Sequence, residues 1–189
     1  MSESAFIEDC LAALRKGGVI AYPTEGVWGL GCDPRDEAAT LRLLALKQRE
    51  VGKGLILIAA DEAQLAPFVA MGALASDQRD AVRSSWPGPN TWIVPASADA
   101  PAWITGDHDG IAVRVSAHPI VVARCEGFGG ALVSTSANRH GETPARTATE
   151  IRKVFGDDLD AIVDAPVGGL ERPTAIRDEL LVQVEAMQP

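Results

Sequence analysis

Aromatic residues are few in this 189-residue chain: four Trp, four Phe and a single Tyr, 5% in all. Proteins that hold single-stranded nucleic acid stack bases on aromatic rings set among cations, and no stretch here has that interleaving. Basic residues are outnumbered as well, 17 Lys and Arg against 26 Asp and Glu, for a net charge of −9. Such a body repels phosphate backbones, so any binding of tRNA is expected to be weak and salt-dependent. Three cysteines, Cys10, Cys32 and Cys125, stand far apart with no CxxC pair. That spacing gives neither a zinc site nor an even disulfide framework; the thiols read as small buried hydrophobes in a reducing compartment. No apolar run approaches the roughly 18 residues of a membrane helix. The acidic start MSESAFIEDC lacks the basic and apolar stretches of a secretory signal, so a cytoplasmic protein with no membrane contact is expected. His108, His118 and His140 have no metal-ligand spacing. There is no P-loop, GxGxxG or GxSxG, so a hydrolase nucleophile is disfavoured.

What is present reads as one domain over residues 1–189, of ordinary length and 47% hydrophobic composition. Phe6, Ile7, Cys10, Leu11 and Leu14 recur at helical spacing up to the stop Gly17-Gly18. Further helices are expected from an Asp36 cap to Lys47, after the Asp61/Gln64 pair, over Ser76–Ser85, over Pro119–Glu126 and from the Thr147/Glu150 capping box to Phe155. Strands are expected at Val19–Tyr22, Leu55–Ala59, Thr91–Pro95, Ile111–Val115, Ala131–Ser134, Ala161–Val163, Ala175–Ile176 and Leu181–Val184. Strands alternate with helices and are too uniformly apolar to have a wet face. The pattern predicts an α/β fold with a mostly covered mixed sheet.

Four segments combine glycine or proline with polar groups next to apolar strands, where the ligand sites of open α/β sheets lie. Tyr22–Gly31 (YPTEGVWGLG) offers Thr24 and Glu25 beside flexible backbone, though a tight turn alone accounts for it. Lys47–Lys53 (KQREVGK) puts three cations within seven residues, suited to a triphosphate or equally to the carbonyls at a helix end. Trp86–Thr91 (WPGPNT) is a rigid turn into a strand with Trp86 in the core. Ser134–Asn138 (STSAN) sets hydroxyls and an amide at a strand end, where they orient an anion or cap the next turn. Lys47, Arg49, Lys53, Arg139, Arg146, Arg172 and Arg177 fall in expected loops, which points to a local anion pocket on an acidic body.

Taken in order, Tyr-Pro-Thr-Glu with Gly-Leu-Gly, Lys-x-Arg, Pro-Gly-Pro-x-Thr, Ala-Val-Arg and Ser-Thr-Ser-Ala-Asn resemble the YrdC/TsaC family of threonylcarbamoyl-AMP synthases, in its short bacterial form. The resemblance runs from Val19 to Asp178. It implies a twisted open YrdC-like α/β fold, a mixed sheet with a concave, positively lined cavity. It implies the synthesis of threonylcarbamoyl-AMP from L-threonine, bicarbonate and ATP, with Mg²⁺ carried by the ATP. TsaB-, TsaD- and TsaE-like partners would complete the tRNA modification. The family's catalytic tetrad falls on Lys47, Arg49, Ser136 and Asn138. ATP would face Arg49, Lys53, Asn138 and Arg146; threonine would face Thr24, Arg114, Ser136 and Thr174. The chain departs from relatives at Gly26, where many have a second threonine, at Ile58, where longer ones have a histidine, and at Pro173-Thr174-Ala175, where they tend to have Ser-Thr. The rival from another class is an RNA-binding module for tRNA or ribosome assembly; a second is an enzyme that uses carbamoyl phosphate.

Overall fold

The computed structural model describes residues 3–170, 174 and 176–178. Helix α1 (Glu3–Arg15) leads into the hairpin β1 (Ile20–Pro23) and β2 (Trp28–Gly31), and α2 (Glu37–Lys47) follows. Next come β3 (Ile56–Ala59), α3 (Ser76–Ser84), β4 (Thr91–Pro95), the single turn α4 (Ala102–Thr105) and β5 (Gly110–Val115). Then α5 (Pro119–Phe128), β6 (Leu132–Ser136), α6 (Ala148–Val154), β7 (Ala161–Ile162) and β8 (Ile176–Asp178) complete the described elements. The strands form one open mixed sheet in the order β7-β1-β2-β6-β3-β5-β4-β8. Pairs β1–β7, β3–β5 and β4–β8 are parallel, and the remaining neighbours run antiparallel.

Alternate residues of each strand point to opposite faces, and two apolar layers result. Ile20, Tyr22, Ile58 and Leu132 pack under α1 and α5 with Cys10, Leu11, Leu14, Val121 and Cys125. Ala21, Leu57, Ala59 and Val133 face the other way, against Leu43 and Leu44 of α2, Val82 of α3, Ile104 of α4 and Ile151 of α6. All three thiols are free and buried, as expected. Asp36 caps α2 through the amide of Ala39, and Thr147 with Glu150 forms the capping box of α6. No helix among the described residues is long and apolar enough to cross a membrane.

Several local expectations fail for physical reasons. After Asp61 there is only a 3₁₀ turn, Glu62–Gln64. Asp61 does accept from the Gln64 amide, but the Gln64 side chain turns away to the amide of Ala60 and the carbonyl of Cys125. With Pro67 three residues on, no helix can continue. The Tyr22–Gly31 segment is more than a turn: Trp28–Gly31 is a buried strand, and a Cβ on Gly31 would stand 2.6 Å from the Val133 carbonyl oxygen. The strand expected to end at Ser134 runs on to Ser136, and α4 went unforeseen. Arg177 lies in β8 rather than a loop, its guanidinium 5.3 Å from the centre of the Trp92 ring. The strand expected at Leu181–Val184 and the residues Arg172, Pro173 and Ala175 lie outside the described residues.

The register explains where the site is. Ile93, Ala112, Ile56 and Ser134 are cross-strand partners through β4, β5, β3 and β6, forming one row on the face that α5 covers at Ile58. From Ile56 the row lines a cavity, so the sheet itself becomes a floor. One wall above that floor depends on Gly106, whose φ is +61° and where a Cβ would stand 2.5 Å from the Gly52 carbonyl oxygen. Gly129, at φ +85°, has open space around it. A left-handed residue other than glycine costs roughly 1–2 kcal/mol. Gly129→Ala is therefore expected to lower unfolding stability by about that much, and Gly106→Ala by clearly more, because its clash is with backbone. Urea unfolding of the two variants side by side checks the order.

Candidate active site

A cavity of about 620 Å³ opens above the floor, a size typical of small-molecule sites. Ile56, Ile93 and Ala112 line its base, with Ser134 and Ser136 on one side. Arg49, Lys53 and Arg114 bring positive charge to it, while Asp107, His108 and Asp109 line a wall near Gly54 and Thr105. Gly54 and Ile58 are four residues apart, and Arg114 pairs with Ile58. The Lys53–Gly54 end and the Arg114 level are thus separated along β3 by about 13 Å at roughly 3.3 Å per residue.

The Lys53 end starts at the close of α2. Gln48 takes a left-handed conformation, φ 53°, and this turns the chain out of the helix, so Arg49 leaves it. Arg49 Nη2 donates to the carbonyls of Lys53 (3.2 Å) and Gly54 (3.1 Å), which aims the guanidinium along the loop. Its Nε is buried without a hydrogen-bond partner.

At the other end Arg114 is 5% exposed. Its Nη1 donates to Thr91 Oγ1 at 3.2 Å and to Thr174 Oγ1, and Nη2 stands 3.5 Å from Glu25 Oε2. Thr24 closes its own turn, donating from Oγ1 to the Val27 carbonyl at 2.8 Å.

Comparison with known proteins gives these residues a family. The sequence profile of Sua5/YciO/YrdC, described as telomere recombination, matches residues 12–185. The chain belongs to the Sua5/YciO/YrdC family. It is 51% identical over 184 residues to a threonylcarbamoyl-AMP synthase of Xanthomonas campestris pv. campestris (strain B100), covering 97% of this chain and 98% of that one. It is 55% identical to a threonylcarbamoyl-AMP synthase of Halorhodospira halophila over 172 residues, 91% of this chain and 89% of that one. Among solved structures, P. abyssi Sua5 complexed with L-threonine superposes with TM-score 0.87 at 28% identity, over 95% of this chain. The chain spans about half of that protein, 52% of its length. E. coli YciO superposes with TM-score 0.80 at 25% identity, over 94% of this chain and 84% of that one.

Of the residues this family's motifs single out, Thr24, Arg49, Lys53, Arg114, Ser136 and Thr174 line the cavity. Gly26 lines it too, whereas Ile58 is fully buried beneath α5. Lys47, Asn138 and Arg146 are not among the cavity's lining residues. Lys47 is 4% exposed, and its Nζ donates to the carbonyl of Ser136, to that of Asn138 at 2.9 Å, and to Asn138 Oδ1 at 3.5 Å. Asn138 also accepts from Ser136 Oγ and donates to the carbonyls of Arg139 and Glu142, so its amide ties up the loop. Exposed Arg146 donates to the Leu170 carbonyl at 3.2 Å. Two groups went unassigned from sequence. Glu25 stood in a noted segment with no role given to it. The Asp107–Asp109 wall carried no signal, since Asp-His-Asp in a loop looks like any solvated turn.

Burial, with Arg49 nearby adding to it, pushes the Lys47 amine down from 10.5 to about 8. Between those values the unfolded chain holds a proton that the folded one has released, so Lys47's share of stability rises with pH. The stability gap between the native chain and Lys47→Met is expected to widen from about pH 7.5 to about pH 9.5. Urea midpoints across that range check it; a gap that narrows would reverse the sign.

Proposed function

We propose that the chain condenses L-threonine, bicarbonate and ATP into threonylcarbamoyl-AMP and pyrophosphate, the activated intermediate for threonylcarbamoyladenosine in tRNA. The observation that carries this reading is one apolar-floored cavity with a buried, hydroxyl-held arginine at one level and an arginine–lysine pair at another. That arrangement suits an amino-acid carboxylate and a polyphosphate in one site, and the relatives at 51–55% identity carry the matching name.

The chemistry asks for positioning rather than an enzyme nucleophile. Threonine's deprotonated amine adds to the carbon of CO₂, released from bicarbonate, and gives a carbamate. A carbamate oxygen then attacks the α-phosphorus, and the bond to the pyrophosphate leaving group breaks. Negative charge grows on the phosphates in the transition state, and fixed cations stabilise it. Arg49 and Lys53 would serve in that role. Arg114 would hold the threonine carboxylate, with Thr24, Ser136 and Thr174 around the amino acid. Asn138 and Lys47 would serve by fixing Ser136, and Arg146 by holding the segment at Leu170. The reaction makes the chain a nucleotidyltransferase. Among the described residues there is no group of three or more His, Cys, Asp or Glu that could hold a metal, and Mg²⁺ would arrive on the nucleotide's own oxygens. Transfer to adenosine would fall to TsaB-, TsaD- and TsaE-like proteins in the cytoplasm, with tRNA bound only weakly by this chain.

Pyrophosphate release should require ATP, bicarbonate and threonine together, with a product of the mass of threonylcarbamoyl-AMP. Release that ignores threonine would defeat the proposal. Arg49→Lys keeps the charge but loses the planar fork, and should cut the rate about 10²–10³-fold, the usual loss for one transition-state donor. A variant turning over near the native rate would place Arg49 outside the chemistry.

A further inference from the structure

Glu25 is a carboxylate 9% exposed, set in the turn between β1 and β2. Its backbone is strapped in place: the carbonyls of Thr24 and Glu25 accept from the amides of Gly168 (2.9 Å) and Leu170 (3.1 Å). Its side chain is held from one side only. Oε1 accepts from Ser116 Oγ at 2.6 Å, and that hydroxyl oxygen accepts in turn from the His118 amide at 3.0 Å. Oε2 has no hydrogen-bond partner and stands 3.5 Å from Arg114 Nη2.

Arg114 mirrors this. Thr91 and Thr174 occupy Nη1, while Nε is buried and has no partner. Nε and Nη2 together form the two-pronged edge with which a guanidinium grips a carboxylate. Glu25 lies close enough to balance the charge of Arg114, yet makes no hydrogen bond that would cap this edge. A buried cation without a counter-charge is strongly disfavoured, so the carboxylate keeps the guanidinium seated while the cavity is empty.

We propose that Glu25 is a positioning residue of the amino-acid subsite, holding the Arg114 guanidinium by charge, without a hydrogen bond, in the orientation that meets the substrate carboxylate. The inference rests on the proposed function, in that threonine is the amino acid concerned. Ser116 belongs to the same device, because its hydroxyl fixes the carboxylate that fixes the arginine.

Steady-state kinetics of pyrophosphate release, with each substrate varied in turn, test this on Glu25→Gln, Glu25→Asp and Ser116→Ala. Glu25→Gln should raise the KM for threonine about tenfold or more, the factor expected from losing a charge-assisted interaction in a buried site. The KM for ATP should stay within about twofold, since nothing at the Lys53 end depends on Glu25. Glu25→Asp retains the charge and should recover part of the threonine KM. If Glu25→Gln does not fold, Ser116→Ala should show the same split at smaller size. A merely structural role would lower the active fraction and thermal midpoint with both KM values unchanged, and that result overturns the proposal, as does an equal rise in both. An inactive native chain would instead overturn the function itself.

Discussion

Lys47 belongs to α2, yet its amine spends its hydrogen bonds on the loop that follows β6, and the cavity's geometry hangs on this contact. The carbonyls of Ser136 and Asn138 accept from it, and the amide of His140 returns a bond to the Lys47 carbonyl at 2.9 Å. The Ser136 carbonyl also accepts from the Asn138 amide at 3.0 Å, so the lysine adds a second, charge-assisted bond there, of a kind worth about 1.5–3 kcal/mol. The ammonium binds both carbonyls with one group and thereby fixes Ser136 against the floor. The same helix end, through the left-handed Gln48, sends Arg49 to the carbonyls of Lys53 and Gly54 at the cavity. One helix terminus therefore sets both a hydroxyl wall and a cationic wall.

How far the sequence foretold this can be judged residue by residue. The helices capped by Asp36 and by Thr147 were legible because capping chemistry is local: a side-chain oxygen and an amide three residues on suffice. The Asp61/Gln64 pair carried the same local signal and misled, because the Gln64 side chain found a distant carbonyl, that of Cys125 on α5. Strand β2 was hidden by its glycines, which weaken any strand pattern. Gly31 is there because β6 and the Tyr22 ring approach too closely for a side chain. Such reasons are tertiary and leave no trace in spacing.

The candidate site divides along the same line. That the five segments share one cavity was legible only through their order, since each alone reads as a turn or a helix end. Which cations reach the cavity was not. Lys47 and Arg49 are two residues apart, yet one is buried in carbonyls and the other lines the cavity. The difference is one backbone torsion at Gln48, which no composition rule anticipates. Glu25 illustrates the converse, a residue within a noticed motif whose role appears only once Arg114, distant in sequence, lies beside it.

Charge is distributed to match. A body of net charge −9 holds three cations along one cavity, and the two arginines are oriented by carbonyls, hydroxyls and a carboxylate rather than left to solvent. Lys53 is the looser of them, exposed at the rim. Side chains already fixed lose little freedom when a ligand arrives, so their attraction is spent on binding instead of on ordering. A compact anion entering the cavity meets these cations at short range, where screening by salt is weak.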